Sequence, residues 1–230
     1  DVLARLPRQM AEQVCFKTGS DEHGAKIEQA AARDDKEPIV FADEISAQLS
    51  LAWDLLALAP DKFIRTTDPE HEEAVVIFLE KLKRSGKIYE GDYEGLYCVG
   101  HEAFIKESDL VNGLCPEHKT KPQVLKEKNW FFKLSDYGKI LEEKIVGDEL
   151  LIRPLSRKNE VLSFIRQGLE DIAISRPNVK WGIPIPWDRD QTTYVWVEAL
   201  FNYCSGVGYA SNPEQFAKFW PADLHIIGKD

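Results

Sequence analysis

Two short pairs of potential metal ligands constrain the fold of this chain more than any other feature of its sequence. Cys98 and His101 form one C-x2-H pair, Cys115 and His118 form a second, and 13 residues lie between the pairs. This spacing fits a tetrahedral zinc site, in which two thiolates balance the charge of the ion and two neutral imidazoles complete the shell. Four protein ligands leave no position for a catalytic water, so the pattern predicts a structural metal site.

Composition excludes several classes of protein. Hydrophobic residues make up 43% of the 230 residues and charged residues 30%, which is typical of a globular protein. No apolar run approaches the roughly 20 residues of a membrane span, and a net charge of −10 disfavours nucleic-acid binding by charge alone. Four cysteines are too few for a secreted disulfide scaffold, and we expect Cys15 and Cys204 to be small core residues.

The first part of the chain has the pattern of an α/β protein. Residues 13–18 predict a buried strand, residues 19–24 a polar turn flanked by glycines, and the apolar spacing from Ala25 a helix. Ligands of open α/β sheets bind where strands end, which makes this turn a candidate site. A second helix is predicted over residues 43–58, capped by Asp43, with one apolar stripe (Ile45, Leu49, Ala52, Trp53 and Leu56).

Asp68 and Pro69 predict the next helix start, as N-cap and first-turn residue. This helix is expected to bury Val75, Phe78, Leu79 and Leu82, to stop at Gly86, and to leave His71 in solvent.

Residues 89–128 are rich in turn residues and predict a small, loop-rich unit held together by metal. Order is expected to return afterwards as an α/β sheet domain, of which residues 89–128 would be an inserted unit. The predicted elements are helices over residues 137–145 and 161–169, strands over 171–176 and 193–197, a proline-locked loop over 181–187, a helix from Glu198 and a strand from Leu224.

An ordered set of short sequence words along the whole chain resembles the methionyl-tRNA synthetases of class I. No single word is decisive, and the specificity lies in their order. The words are Thr18-Gly-Ser-Asp-Glu-His-Gly24, Phe63-Ile-Arg-Thr-Thr67, the region of the two zinc pairs, Asn129-Trp-Phe-Phe-Lys-Leu134, Asn159-Glu-Val-Leu162, Ile174-Ser-Arg176, Trp181-Gly-Ile-Pro184, Tyr194-Val-Trp196, Ala199-Leu200, Asn202-Tyr203 and Ile226-Ile-Gly-Lys-Asp230.

The resemblance implies a Rossmann-like catalytic core that is interrupted by a connective-peptide insertion with a zinc knuckle. Residues 1–88 and 181–230 would form the catalytic domain, and residues 89–180 the insertion, with its knuckle at about 95–125. The implied activity is that of a methionine–tRNA ligase in the cytoplasm. Such an enzyme activates methionine with ATP and Mg to methionyl-adenylate and transfers methionine to tRNA. Its cofactor would be structural zinc, and no membrane is involved.

The resemblance also assigns residues. Asp21 would bind the methionine amino group, since a carboxylate suits an ammonium partner, although the same residue could be a plain helix cap. Trp196, Ala199, Leu200 and Tyr203 would line the pocket for the thioether, although aromatic residues are also common in plain cores. Gly228 and Asp230 would contact the adenylate. Metal ligands would be Cys98, His101, Cys115 and His118.

Two departures from the family pattern stand beside these assignments. His101 stands where the family more often has cysteine, and Glu198 where it commonly has aspartate. The family's His-Ile-Gly-His and KMSKS motifs would lie upstream of Asp1 and downstream of Asp230. We therefore expect a fragment that forms no adenylate by itself. The alternatives are another class I synthetase, for leucine, isoleucine or valine, and a non-catalytic zinc-binding module.

Overall fold

The structure, a computed structural model, describes residues 1–100 and 103–228. The chain divides into two compact units, the first made of Asp1–Glu80 and Asn178–Asp230, the second of Lys81–Pro177. Both contain helices and strands, and the chain is of the mixed α/β class that the sequence predicts.

The first unit begins with helix α1 (Val2–Gln9) and strand β1 (Lys17–Ser20). Helices α2 (Ala25–Arg33) and α3 (Pro38–Leu55) then connect β1 to strand β2 (Lys62–Arg65), which pairs with it in parallel from Lys17↔Lys62 to Ser20↔Arg65. The predicted helix from Ala25 is confirmed, whereas the predicted strand over residues 13–18 is wrong at its start, because pairing begins only at Lys17.

Helix α3 corrects two predictions. It starts at Pro38 rather than Asp43, since proline suits a first helical turn, and Asp43 lies inside the helix, where its carboxylate pairs with Arg65. The predicted apolar stripe is not a buried face. Ile45, Leu49 and Leu56 are exposed, while the Trp53 ring packs edge-to-face on Phe63.

Helix α4 (Pro69–Arg84) starts where the sequence predicts. The Asp68 carboxylate accepts a hydrogen bond from the Arg65 amide (2.9 Å), and the backbone carbonyl of Asp68 accepts one from the amide of His71 (2.9 Å). Acidic side chains in the first turn and basic side chains in the last turn interact favourably with the helix dipole. Ala74, Val75 and Leu79 form its buried face, and the chain leaves the helix through Gly86, at φ +70°.

The second unit contains a long antiparallel ribbon of strand β3 (Ile88–Cys98) and strand β5 (Gln123–Phe132). They pair from Ile88↔Phe132 to Tyr97↔Gln123, and strand β4 (Ala103–Ile105) pairs with the far end of β3. The prediction of a loop-rich region over residues 89–128 was therefore wrong at both ends, where β3 and β5 lie, whereas turns and irregular structure predominate in the described residues between these strands. Its glycines concealed strands, and Gly91 lies in a ribbon position where a Cβ would come 3.2 Å from the Phe131 ring.

The rest of the second unit is a small helical core. Helices α5 (Gly138–Val146) and α6 (Leu155–Arg166) bury Ile145, Leu162 and Ile165 together, which confirms the two helices predicted there. The predicted strand over residues 171–176 is present as two short strands, β6 (Ile172–Ala173) and β7 (Ser175–Arg176).

The chain then completes the first unit with the hairpin of β8 (Pro184–Ile185) and β9 (Asp188–Thr193), followed by helices α7 (Val195–Leu200), α8 (Asn202–Ser205) and α9 (Pro213–Phe219). The predicted strand over residues 193–197 was wrong. The strand ends at Thr193, and Trp196 is helical. The buried Val195 did not distinguish the two structures, because a helix can bury this side chain as well as a strand can. The predicted strand from Leu224 is also wrong: residues 221–228 contain no strand, and Ile226 and Ile227 are exposed.

Candidate functional site

The turn after β1 is held from one side by the last residue of β2 and the loop that follows it. The buried Glu22 carboxylate accepts hydrogen bonds from Arg65 Nε (2.8 and 3.0 Å), Thr67 Oγ1 (2.6 Å) and Ser20 Oγ (2.5 Å), and the Glu22 amide donates to Thr66 Oγ1 (3.0 Å). Burial opposes ionisation of Glu22. The hydrogen bonds from Arg65, Ser20 and Thr67 outweigh burial and lower the pKa of this carboxyl below its usual 4.5.

The same turn is held from its other side by residues of the distant C-terminal segment. The ring of His23 packs edge-to-face on Trp181, with centroids 5.3 Å apart, and its Nδ1 lies 3.0 Å from Glu198 Oε1. Trp181 Nε1 donates to the Glu22 carbonyl (2.6 Å), and the Gly24 amide donates to the Trp181 carbonyl (3.0 Å). Sequence analysis gave no role to His23; the structure makes it part of the support of the turn.

His71 corrects a sequence prediction, because it is fully buried rather than solvated. Its Nε2 lies 3.0 Å from Glu198 Oε2, and its Nδ1 lies 2.8 Å from Ser205 Oγ. A signal for this burial was present in the sequence. His71 precedes Ala74 and Val75 by three and four residues, and so shares the helix face that enters the core.

Glu72 is the second carboxylate near His23. Its Oε1 lies 3.7 Å from His23 Nε2. Burial and the nearby Glu198 raise the pKa of Glu72, against the opposing influence of the two histidines.

Asp21 is followed by two residues whose burial is opposite to its own. Glu22 and His23 are buried and hydrogen-bonded on either side of the turn, whereas the side chain of Asp21 is exposed. The turn thus presents one carboxylate outward from a backbone that both flanks of the unit hold in place.

The four residues expected to line a side-chain pocket lie on α7 and α8. Trp196 and Leu200 are four residues apart and share the exposed face of α7, at 48% and 57% exposure, while Ala199 is buried. Tyr203 is half-buried on α8, beyond the break at Phe201 that separates the two helices.

Lys17 is a neighbour of Tyr203 that the sequence did not single out. Its ammonium lies 5.1 Å from the centre of the Tyr203 ring and donates to the Asn202 carbonyl. Burial lowers the pKa of Lys17 from 10.5 to about 8. Tyr203 also packs edge-to-face on His225, with centroids 4.9 Å apart.

The residues expected to contact the adenylate lie at the end of the chain. Gly228 is exposed, and a Cβ there would meet no atom of the described residues within 4 Å. Asp230 lies outside the described residues.

Three of the four predicted metal ligands come together in the second unit. One ligand atom each from Cys98, Cys115 and His118 lie within 4.8 Å of one another, and such a group could hold a metal ion. His118 Nδ1 lies 3.8 Å from Cys98 Sγ and 3.6 Å from Cys115 Sγ. His101 lies outside the described residues.

Local structure explains why these ligands meet. The His118 amide donates to Cys115 Sγ (3.3 Å), which folds the second pair inward, and a Cβ at Gly100 would come 2.3 Å from the His118 ring. Burial opposes ionisation of Cys115, but the hydrogen bonds from the His118 amide and ring outweigh it and lower its pKa from 9.0 to about 7.

Comparison with known proteins gives a consistent result along the whole chain. A family model described as "tRNA synthetases class I (M)" matches residues 1–123 and 108–230. Proteins named methionine–tRNA ligase from Streptomyces coelicolor and Clostridium perfringens are 44% and 45% identical to the chain, over all of it. The chain spans 44% and 36% of their lengths, which is less than half.

Solved structures of the same kind share the fold. The Mycobacterium tuberculosis methionyl-tRNA synthetase in complex with methionyl-adenylate superposes with a TM-score of 0.92 at 39% identity, over 98% of this chain and 45% of that one. Its apo form superposes with a TM-score of 0.82 at 36% identity, over 98% and 44%. In the described part of the chain, helices that combine the length and hydropathy of a membrane span are absent.

Proposed function

The chain belongs to the class I (M) family of tRNA synthetases, and from that premise we propose that it is the methionine-binding part of a methionine–tRNA ligase. In the proposed reaction the methionine carboxylate attacks the α-phosphate of ATP, supplied with Mg, and pyrophosphate leaves. The methionyl group of the resulting adenylate then passes to the terminal ribose of tRNA. We place this reaction in the cytoplasm. We further propose that residues 1–88 and 181–230 form the catalytic domain, and residues 89–180 the connective-peptide insertion.

One observation carries the proposal at the level of the site: Asp21 is exposed on a turn whose neighbours Glu22 and His23 are buried and hydrogen-bonded on opposite sides. A carboxylate held in this way suits a ligand ammonium group, because charge-assisted hydrogen bonds are the stronger ones and little reorganisation is needed. The amino group of methionine would take this position.

The pocket for the methionine side chain would be formed by Trp196, Ala199, Leu200 and Tyr203. The exposed indole of Trp196 and the Tyr203 ring would offer aromatic surfaces to a thioether, a favourable contact, while buried Ala199 would limit the depth of the pocket. Gly228 and Asp230 would contact the adenylate, with Asp230 accepting from ribose hydroxyls.

The test exchanges Asp21→Asn in the complete protein that contains this chain. Loss of a charge-assisted hydrogen bond of about 1.5–3 kcal/mol corresponds to a roughly 10- to 150-fold weaker methionine affinity. Equilibrium dialysis with labelled methionine and methionine-dependent ATP–pyrophosphate exchange would measure it. Asp54→Asn, the same exchange at an exposed position of α3, is the control and should bind methionine normally.

Three outcomes would contradict the proposal. Asp21→Asn could bind methionine like the wild type, which would remove Asp21 from the site. A complete protein that activates leucine but not methionine would establish a different class I synthetase. A complete protein that holds metal and activates no amino acid would favour a non-catalytic zinc-binding module.

We also propose that the Cys/His group holds a structural zinc ion, with His101 as fourth ligand. In a tetrahedral site with Zn–S near 2.3 Å and Zn–N near 2.0–2.1 Å, sulfur and nitrogen ligands lie about 3.6 Å apart. The two Sγ–Nδ1 distances of 3.6 and 3.8 Å fit that value, and soft thiolates with imidazole suit zinc. Zinc would stabilise the end of the β3–β5 ribbon and take no part in the reaction.

Metal analysis tests the zinc proposal. The wild type should carry about one zinc per chain, and Cys115→Ser should lower that content, because an alcohol replaces a thiolate ligand. Cys204→Ser, the same exchange at a cysteine of the first unit, is the matched control and should keep the metal. Freshly purified wild type without zinc would contradict the proposal.

A further inference from the structure

Glu198 is a fully buried carboxylate that joins two histidines from distant parts of the first unit. Its Oε1 lies 3.0 Å from Nδ1 of His23, in the turn after β1, and its Oε2 lies 3.0 Å from Nε2 of His71, on α4. Each oxygen therefore has one imidazole partner.

The donor and acceptor roles follow from the chemistry of the groups. An ionised carboxylate only accepts, so His23 Nδ1–H and His71 Nε2–H must donate to it. In a neutral His71 ring, Nδ1 is then an acceptor, and the Ser205 hydroxyl, 2.8 Å away, supplies its donor. The chain Ser205–His71–Glu198–His23 thus pairs both oxygens of Glu198 and both ring nitrogens of His71, and it connects α8, α4, α7 and the turn.

Two neighbouring members of this chain, His23 and Glu198, are close in sequence to the two halves of the proposed amino-acid site. His23 is two residues from Asp21, and Glu198 is two residues from Trp196, on the opposite face of α7. The Glu198–His23 hydrogen bond therefore holds the turn that carries Asp21 against the helix that carries Trp196.

We propose that Glu198 is a positioning residue, whose carboxylate sets the distance between Asp21 and the α7 pocket and thereby the affinity and selectivity for the amino acid. The inference rests on the proposed function and deepens it. Glu198 contacts no substrate; it acts through His23 on one side and through its own helix on the other. Buried networks of this kind often fix one arrangement of a site rather than add stability.

Glu198→Gln is the first variant, because it preserves shape and removes charge. The glutamine amide accepts with one oxygen only, so one imidazole N–H would face the new NH2 donor and the turn would move relative to α7. In the complete protein we expect the KM for methionine to rise at least tenfold, the KM for ATP to stay within twofold, and discrimination against leucine to fall. Glu198→Asp, which retains the charge, should lie between Gln and the wild type.

A double-mutant cycle separates positioning from general stability. If Glu198 acts by placing Asp21, Glu198→Gln should cost at most about threefold in methionine affinity once Asp21 is already asparagine. If the losses of methionine affinity in the two single variants multiply fully in the double variant, the inference is overturned.

Two further variants keep the test decisive. Asn129→Ala removes a fully buried amide of the second unit, and is expected to lower stability with methionine KM unchanged. If Glu198→Gln does not fold, Ser205→Ala removes only the last hydrogen bond of the chain and should raise methionine KM about two- to fivefold. A stable Glu198 or Ser205 variant with wild-type KM for methionine would overturn this inference and leave the proposed function standing. A wild type that binds no methionine would overturn both the proposed function and this inference.

Discussion

Replacement of Arg65 by methionine should destabilise the first unit by an amount that depends strongly on pH. Arg65 Nε is the charged donor to the Glu22 carboxylate, whose side chain is only 4% exposed, and Arg65 Nη2 lies 2.6 Å from Asp43. Without the guanidinium, Glu22 is a buried anion whose remaining side-chain donors, among the described residues, are the hydroxyls of Ser20 and Thr67. The long methionine side chain keeps most of the apolar contact of the arginine stem.

Two arguments bound the magnitude at pH 7. Removing one partner of a buried ion pair costs about 3–5 kcal/mol, and the 25% exposure of Arg65 places this pair at the low end. Protonation of Glu22 limits the loss, because neutralising a carboxyl of pKa near 4.5 costs about 1.36 kcal/mol per pH unit, or about 3.4 kcal/mol at pH 7. We expect the free energy of unfolding to fall by about 2–3 kcal/mol.

The sign of the pH dependence follows from the direction of each pKa. In the wild type the folded pKa of Glu22 lies below 4.5, so Glu22 contributes stability above pH 4.5, which is lost as the pH falls through the folded pKa. In Arg65→Met, burial should raise the folded pKa above 4.5, so the penalty is relieved in acid. The difference between the two proteins should therefore be smaller at pH 5 than at pH 7, by at most about 2.7 kcal/mol over these two pH units.

Urea unfolding followed by tryptophan fluorescence would measure this difference, since five of the six tryptophans lie in the first unit. Arg157→Met is the matched control, because Arg157 forms an exposed ion pair with Glu160, and should change stability by less than about 0.5 kcal/mol at both pH values. A loss for Arg65→Met that is equal at pH 7 and pH 5 would refute the reasoning.

Three more predictions concern the same unit. Gly19→Ala places a Cβ 2.1 Å from the Ile64 carbonyl of the paired strand and should cost about 3 kcal/mol of unfolding free energy, whereas Gly138→Ala, with ordinary contacts, is the control. Leu79→Ala should cost about 2–5 kcal/mol, because this side chain is fully buried, and chemical denaturation would measure both losses. NMR of 13Cε-labelled lysine should show Lys17 titrating at about 8; because its folded pKa is depressed from 10.5, stability should rise between pH 8 and 10.5, and titration above 10 would contradict the burial argument.

Local signals predicted the elements that begin with unambiguous capping chemistry. Asp68 and Pro69 mark the start of α4, and the glycine-flanked turn separates β1 from α2. The predicted start of α3 was wrong because two residues, Pro38 and Asp43, are both suited to the start of a helix. Pro38 takes the first turn, and Asp43 is used instead by Arg65, a partner that is remote in sequence.

Where local composition is shared by two structures, the sequence predicted the wrong one. The run Thr193 to Val197 is β-branched and aromatic, and periodicity cannot distinguish a short buried strand from a buried helical turn in so few residues. The prediction for the β3–β5 ribbon was wrong for a different reason. Its glycines and charges resemble a loop, but the cross-strand pairing that makes it regular is visible only once both strands are placed.

The residues of the proposed amino-acid site also differ in whether local sequence or remote partners determine their burial. The turn that carries Asp21 could be located from the residues, because it comes directly after a strand, where ligands of α/β sheets bind, whereas the role of Asp21 follows from the resemblance and stays a prediction. The burial of His71 was not predicted, because its partner Glu198 is 127 residues away, and His23 is 175 residues from that same carboxylate. A polar side chain tolerates burial only when such partners are supplied, so burial of these groups is a property of the assembled unit. The turn that is proposed to meet the ligand could therefore be located from the sequence, while the residues that hold this turn in place could be found only in the structure.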